Sequence, residues 1–215
     1  MEQDIAYKVI NNTPIFKCSF CNSCTSMESK NMLGIKRGCC FYFPKYSLID
    51  IKNILKFNRD FLFKLITKEN VVTHDYFIEV KGTFDKATYS NFLKNSTEEE
   101  TLKYRNFDKT LFFKKCFFVT SNGCSIDFRL RPHQCNLYLC RKITTNPNYL
   151  YKKYSRERKD YFAYCNYINT LLIQYLQENL LTLKSNFKQS VNFLENIKIN
   201  DFLFSKLEPL TFPCK

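Results

Sequence analysis

Two different periods of apolar and polar positions run along this chain, and each change of period marks an element. From Ser47 onward, Ile51, Ile54, Leu55, Phe61, Leu62 and Leu65 fall on one face of a helix, which Asn58 interrupts with a polar residue. Ser47 and Asp50 stand three apart at the start of that helix, a capping box with Asp in place of the usual Glu. Tyr76, Ile78 and Val80 then alternate with Phe77, Glu79 and Lys81, the period of a strand. Leu111 to Val119 is a second strand candidate, and Asn122-Gly123 marks a turn after it. Between about Ser155 and Lys184 the helical period returns through Phe162, Cys165, Ile168, Leu172, Tyr175 and Leu176. A shorter amphipathic stretch carries Val191, Leu194 and Ile197, and Pro209 and Pro213 end regular structure. Residues 14–44 show neither period and read as irregular.

Those irregular residues are rich in cysteine, and the chain of 215 residues carries eleven cysteines in all. No apolar stretch is long enough for a membrane span. The acidic start, Met1 to Asp4, leads into no apolar segment of the kind a secretory signal needs. The expected compartment is the cytoplasm, with no membrane partner. In a reducing compartment dense cysteine usage points to metal or redox chemistry. The odd count and the adjacency of Cys39 and Cys40 both argue against a disulfide framework.

The formal charge is +13. A nucleic-acid partner is one source of such an excess. A vocabulary biased toward Lys, Asn, Ile, Phe and Tyr is a plainer one, and metal-bound cysteines, being thiolates, would offset part of the charge. The aromatics follow core periodicity rather than forming a stacking platform, so nucleic acid is not the expected partner. Lys152, Lys153, Arg156, Arg158 and Lys159 form a basic run. It reads first as a solvated helix start, and second as a patch for an acidic protein partner.

Several enzyme classes are excluded. The four glycines, Gly34, Gly38, Gly82 and Gly123, cannot build a dinucleotide fingerprint or a phosphate-binding P-loop. With only His74 and His133, no zinc protease of the H-E-x-x-H type is present. A Cys-His nucleophile pair is the lesser reading, because so many cysteines compete for a metal explanation.

The cysteines fall into two groups. The first is Cys18, Cys21 and Cys24 at two-residue gaps, followed by Cys39 and Cys40. That gap lets consecutive thiolates turn toward one point, as in zinc knuckles and ferredoxin-type clusters. The second group is Cys116, Cys124, Cys135 and Cys140. A hairpin at Asn122-Gly123 would bring Cys116, read as lying on the strand, to Cys124. Pro132 suits the first turn of a short helix bearing Cys135. Cys135 and Cys140 are five apart and cannot share one face of a regular helix. Arg131, biased by Pro132 toward an extended backbone, is positioned to donate to carbonyls or to a thiolate. Cys165 reads as core, Cys214 as having no fixed role, and His133 as standing behind the ligands or on the surface.

The order Cys116-Phe-Phe, Gly123-Cys124-Ser-Ile126, Arg131-Pro132-His-Gln-Cys135 and Cys140 resembles the YkgJ-like cysteine-cluster family, a zinc- or iron-chelating domain of the C-x2-C-x3-C-C type. Phe16-Lys17-Cys18-Ser-Phe-Cys21 looks like that family's opening, and Tyr46 to Leu55, with Asp50-Ile51, looks like its segment after the paired cysteines. The resemblance covers residues 16 to 141. It is tighter in the second group than in the first, whose pair comes late as Cys39-Cys40. Which of Cys24, Cys39 and Cys40 are ligands therefore stays open. The resemblance implies chelation, with Cys18, Cys21, Cys24, Cys39, Cys40, Cys116, Cys124, Cys135 and Cys140 as candidate metal ligands. Nine thiolates suit zinc or a [4Fe-4S] cluster, each of which takes about four. Whether the chain is an enzyme stays open. Flagellin lysine N-methylases carry a domain of this type, so a lysine N-methylase-like enzyme with an iron–sulfur cluster is the second reading of function. A zinc-stabilised nucleic-acid-binding protein is the third. The expected fold is α+β. A small irregular cysteine-rich core with a hairpin spans 14–145, and a helical C-terminal region over 150–208 packs on it as one unit.

Overall fold

Helices and small antiparallel sheets form an α+β fold, as the mixed periods predict. The computed structural model describes residues 5–10, 12–18, 43–103, 108–120, 123–138 and 149–207. Strands β1 (Ile5–Ile10) and β2 (Thr13–Cys18) pair as a hairpin, with Ile5 opposite Cys18 and Ile10 opposite Thr13. The turn holds Asn12 at φ 55°, a left-handed conformation that asparagine tolerates better than most residues. The stretch read as irregular from residue 14 therefore begins as a strand.

Strand β3 (Lys45–Ser47) runs directly into helix α1 (Leu48–Leu55). The backbone N–H and hydroxyl of Ser47 both donate to Asp50 Oδ2, at 3.0 and 2.6 Å, so the expected box closes through its acidic member. The single helix expected across Asn58 is two helices. Its side-chain oxygen accepts the Phe61 N–H at 3.0 Å and starts helix α2 (Arg59–Ile66) afresh. Strands β4 (Val71–Thr73) and β5 (Phe77–Val80) complete a three-stranded sheet in the order β3-β5-β4. Ile78 and Val80 point into the core, as their alternation predicts.

Strand β6 (Thr83–Phe84) pairs with β7 (Lys114–Lys115), and helices α3 (Lys86–Asn95) and α4 (Glu98–Lys103) lie between them in sequence. The strand expected over 111–119 is mostly not a strand. Lys109–Phe113 is a 3-10 turn, because Phe113 is fully buried between Tyr89 and Phe92, its ring centroid 5.0 and 5.3 Å from theirs. Only Lys114–Lys115 and β8 (Val119–Thr120) are extended. Strand β8 does pair with β9 (Gly123–Cys124), so the expected hairpin forms, although Asn122 lies outside the described residues.

Helix α5 (His133–Asn136) follows Pro132, and helices α6 (Tyr149–Glu178) and α7 (Phe187–Asn196) complete the fold. Helix α1 packs against both α6 and α7. Tyr46, Ile51, Ile54, Leu62, Ile78, Leu172, Leu176, Val191 and Leu194 share one core, which joins residues of the first region to the C-terminal helices. The apolar stripe of α6 is narrower than its sequence implies. Cys165, Ile168, Leu172 and Leu176 are buried, while Phe162 and Tyr175 are 41% and 40% exposed. Among the described residues no helix is long and apolar enough to cross a membrane. Pro209, Pro213 and Cys214 lie outside them.

Candidate functional site

Tyr46 occupies the middle of β3, opposite Ile78 of the central strand. Its side chain is completely buried, and among the described residues its hydroxyl has no hydrogen-bond partner. Burial pushes its pKa well up, and Cys135, Asp50, Cys124 and Cys116 all lie near enough to push it further. Three of the four cysteines in the second sequence group thus act electrostatically on one buried side chain. Cys116 is buried, and Cys124 and Cys135 are half-buried.

Each cysteine reaches that position by a different device. Cys116 is not on a strand, as the sequence implied, but just before the β8–β9 hairpin, where its carbonyl accepts the Val119 N–H at 3.1 Å. Cys124 closes the hairpin opposite Val119. Cys135 sits in the one-turn helix α5, whose start is fixed by Pro132: the Pro132 carbonyl accepts the Cys135 N–H at 2.9 Å. Arg131 is extended, at φ −86° and ψ 146°, as the following proline dictates. Its guanidinium donates through Nε and Nη2 to the Ile126 carbonyl at 3.0 and 2.9 Å, which clamps the loop between Cys124 and Cys135.

Strand β2, whose last residue is Cys18, packs against α5. The backbone leading into the first cysteine group therefore runs beside the helix that carries Cys135. Cys21, Cys24, Cys39, Cys40 and Cys140 lie outside the described residues. Among the described residues, no three Cys, His, Asp or Glu side chains converge as a metal-ligating group. What the described residues offer a metal or cluster is the soft sulfur donors of Cys116, Cys124 and Cys135. That is the donor chemistry zinc and iron–sulfur centres take, and it fits them better than a hard, oxygen-seeking cation.

A buried ionic pair underpins the same region. The Asp50 Oδ1 atom accepts both the backbone N–H of His133, at 2.7 Å, and its Nδ1, at 2.8 Å. Burial alone would raise the Asp50 pKa, but the His133 charge and the hydrogen bonds from His133 and Ser47 outweigh it and hold it below the usual value. Burial likewise pulls His133 down, and Asp50 more than reverses this, so His133 titrates above an ordinary histidine. His133 is buried rather than on the surface; its Nε2 has no partner, and Phe162 lies beside its ring. Sequence reasoning named Asp50 as a cap and Tyr46 as the start of a family-like segment, but neither as part of the site.

Other readings resolve simply. Cys165 is fully buried, and its thiol is pushed up to about 12 by burial and by the Asp50 charge against a hydrogen bond with Tyr161. In the basic run, Lys152, Lys153, Arg156 and Lys159 are solvated. Arg158 is not: its Nη1 donates to the Leu137 carbonyl at 3.0 Å and ties α6 to the end of α5. No protein family, no curated protein and no solved structure matches this chain.

Proposed function

We propose that this chain is a thiolate-ligated metal-binding protein of the YkgJ type, holding a [4Fe-4S] cluster in preference to zinc. The observation that carries the reading is that Cys116, Cys124 and Cys135 all lie near enough to the buried Tyr46 side chain to act on it electrostatically. These cysteines come from a loop, a hairpin and a helix, so no single strand or helix period brings them to one region. The approach of β2 to α5 supports a role for the Cys18 loop in the same centre. The preference for iron–sulfur rests on the Cys18, Cys21, Cys24 spacing, which is that of cluster-binding loops.

The test is anaerobic purification followed by iron, sulfide and zinc analysis. Stoichiometric iron and sulfide are expected; a colourless protein with stoichiometric zinc would remove the iron–sulfur version and keep the thiolate centre. Cys124→Ser and Cys135→Ser are each expected to lose most of the bound metal, while Cys165→Ser keeps all of it. Wild-type metal content in both of the first two variants would overturn the proposal.

A further inference from the structure

We propose that a cleft along helix α6 binds a small organic carboxylate, an anion with an apolar body, and that Arg158 and Lys159 receive its charge. This inference does not depend on the thiolate centre proposed above. Its starting point is a cavity of about 390 Å³ where α6 meets the end of α5. Its described lining is Leu137, Arg158, Lys159, Phe162, Ala163 and Asn166. Arg158, Phe162 and Asn166 follow one another at intervals of four along α6, and Lys159 and Ala163 repeat that interval one residue on. One face of a single helix therefore supplies most of the lining. Leu137, the residue that ends α5, supplies the rest.

The composition suits a small molecule. Sites for such ligands start at about 300 Å³ and are mostly apolar, with a few polar groups that fix orientation. Here Leu137, Phe162 and Ala163 give the apolar surface. Phe162 stands outside the hydrophobic core and is partly open to solvent, with the His133 ring beside it at 5.6 Å. The charges set the sign of the ligand. Two cations and no carboxylate stand in the described lining. The acidic neighbours on α6 are engaged elsewhere: Asp160 faces Arg156 at 3.8 Å, and Glu157 accepts from Tyr7 and Ser205. Among the described residues, neither Arg158 nor Lys159 has an anionic partner. The guanidinium of Arg158 is held by one arm, Nη1 donating to the Leu137 carbonyl at 3.0 Å. Its Nη2 makes no hydrogen bond among the described residues and is not shut away from solvent. An arginine fixed in this way presents its open edge to an anion at little further cost in side-chain freedom. One open guanidinium nitrogen beside one ammonium suits a monoanion; a phosphate monoester carries nearly twice the charge and asks for more donors.

The experiment titrates the full chain by calorimetry with octanoate, with octan-1-ol, which has the chain without the charge, and with acetate, which has the charge without the chain. Octanoate is expected to saturate one site, and each of the other two to bind at least about tenfold more weakly. Ala163→Leu puts a larger side chain into the cleft at an exposed position of the helix. It is expected to abolish octanoate binding with the melting temperature unchanged. Arg158→Gln is expected to weaken binding about tenfold or more, and Lys159→Gln about 2–5-fold. Because Arg158 also ties α6 to α5, Lys159→Gln and Ala163→Leu, both at solvated positions, carry the test should Arg158→Gln not fold. Octan-1-ol binding as tightly as octanoate would overturn the assignment of a carboxylate. Wild-type affinity for octanoate in Ala163→Leu, or no saturable binding by the wild type, would overturn the site itself.

Discussion

Asp50 does two jobs with one carboxylate. Through Oδ2 it closes the cap of α1, and through Oδ1 it holds the backbone and ring of His133, two residues before Cys135. Removing one partner of a buried, hydrogen-bonded ion pair typically costs about 3–5 kcal/mol, mostly because the other charge is left unpaired. Asp50→Asn in the metal-free protein is expected to fall in that range. The sign of its pH dependence follows from the depressed carboxyl pKa. The stability Asp50 contributes is full above the unfolded value near 3.8, and it is lost as pH falls through the lower folded value. Urea melts of metal-free protein across the acid range should therefore show a wild-type loss of stability that is absent in Asp50→Asn. A parallel loss in both proteins would count against this account of Asp50. None of this was legible in the sequence beyond the cap. A carboxylate three residues after a serine announces its local bond, but its bond to a residue 83 positions away exists only in the folded chain.

At the scale of elements, periodicity was overridden twice, once by local chemistry and once by tertiary contact. The apolar face from Ile51 to Leu65 reads as one helix, yet Asn58 caps a second helix and the chain turns there. Replacing a capping asparagine by alanine typically costs about 0.5–2 kcal/mol. Asn58→Ala should lose that much in equilibrium unfolding without altering metal content; a neutral result would mean that packing alone sets the α1–α2 break. The run from Leu111 reads as a strand because it is aromatic and aliphatic, but the pocket between Tyr89 and Phe92 draws Phe113 into a 3-10 turn. Tertiary contact decided there, and no window of sequence contains that contact. The hairpin of β1 and β2 was missed because β2 runs straight into the cysteine-rich stretch, which shows no period of its own; its clearest structural mark is Asn12, in the left-handed region at the turn. The α5 turn, by contrast, was readable from Arg131-Pro132, since proline restricts both residues on any background.

In the whole molecule, the helices form the frame; Cys116 lies in the core they enclose, and Cys124 packs against that core. Lys52 shows how tightly that frame is joined. It leaves α1 as a buried amine and donates to the carbonyls of Leu194, at 2.8 Å, and of Ile197, at the end of α7. Glu157 does the same for the outer parts, accepting from the Tyr7 hydroxyl of β1 and from the Ser205 N–H at 2.6 Å. The binding energy of a centre built from Cys116, Cys124, Cys135 and the Cys18 loop, as proposed, would be folding energy. The direct test of that claim is the metal's own coordination sphere, read by X-ray absorption on protein purified without added metal. The account predicts a shell of sulfur alone at about 2.3 Å, with oxygen or nitrogen in place of a sulfur around the small residue of metal that Cys124→Ser and Cys135→Ser keep. A shell of nitrogen and oxygen in the wild type, or an unchanged sulfur shell in both variants, would contradict it.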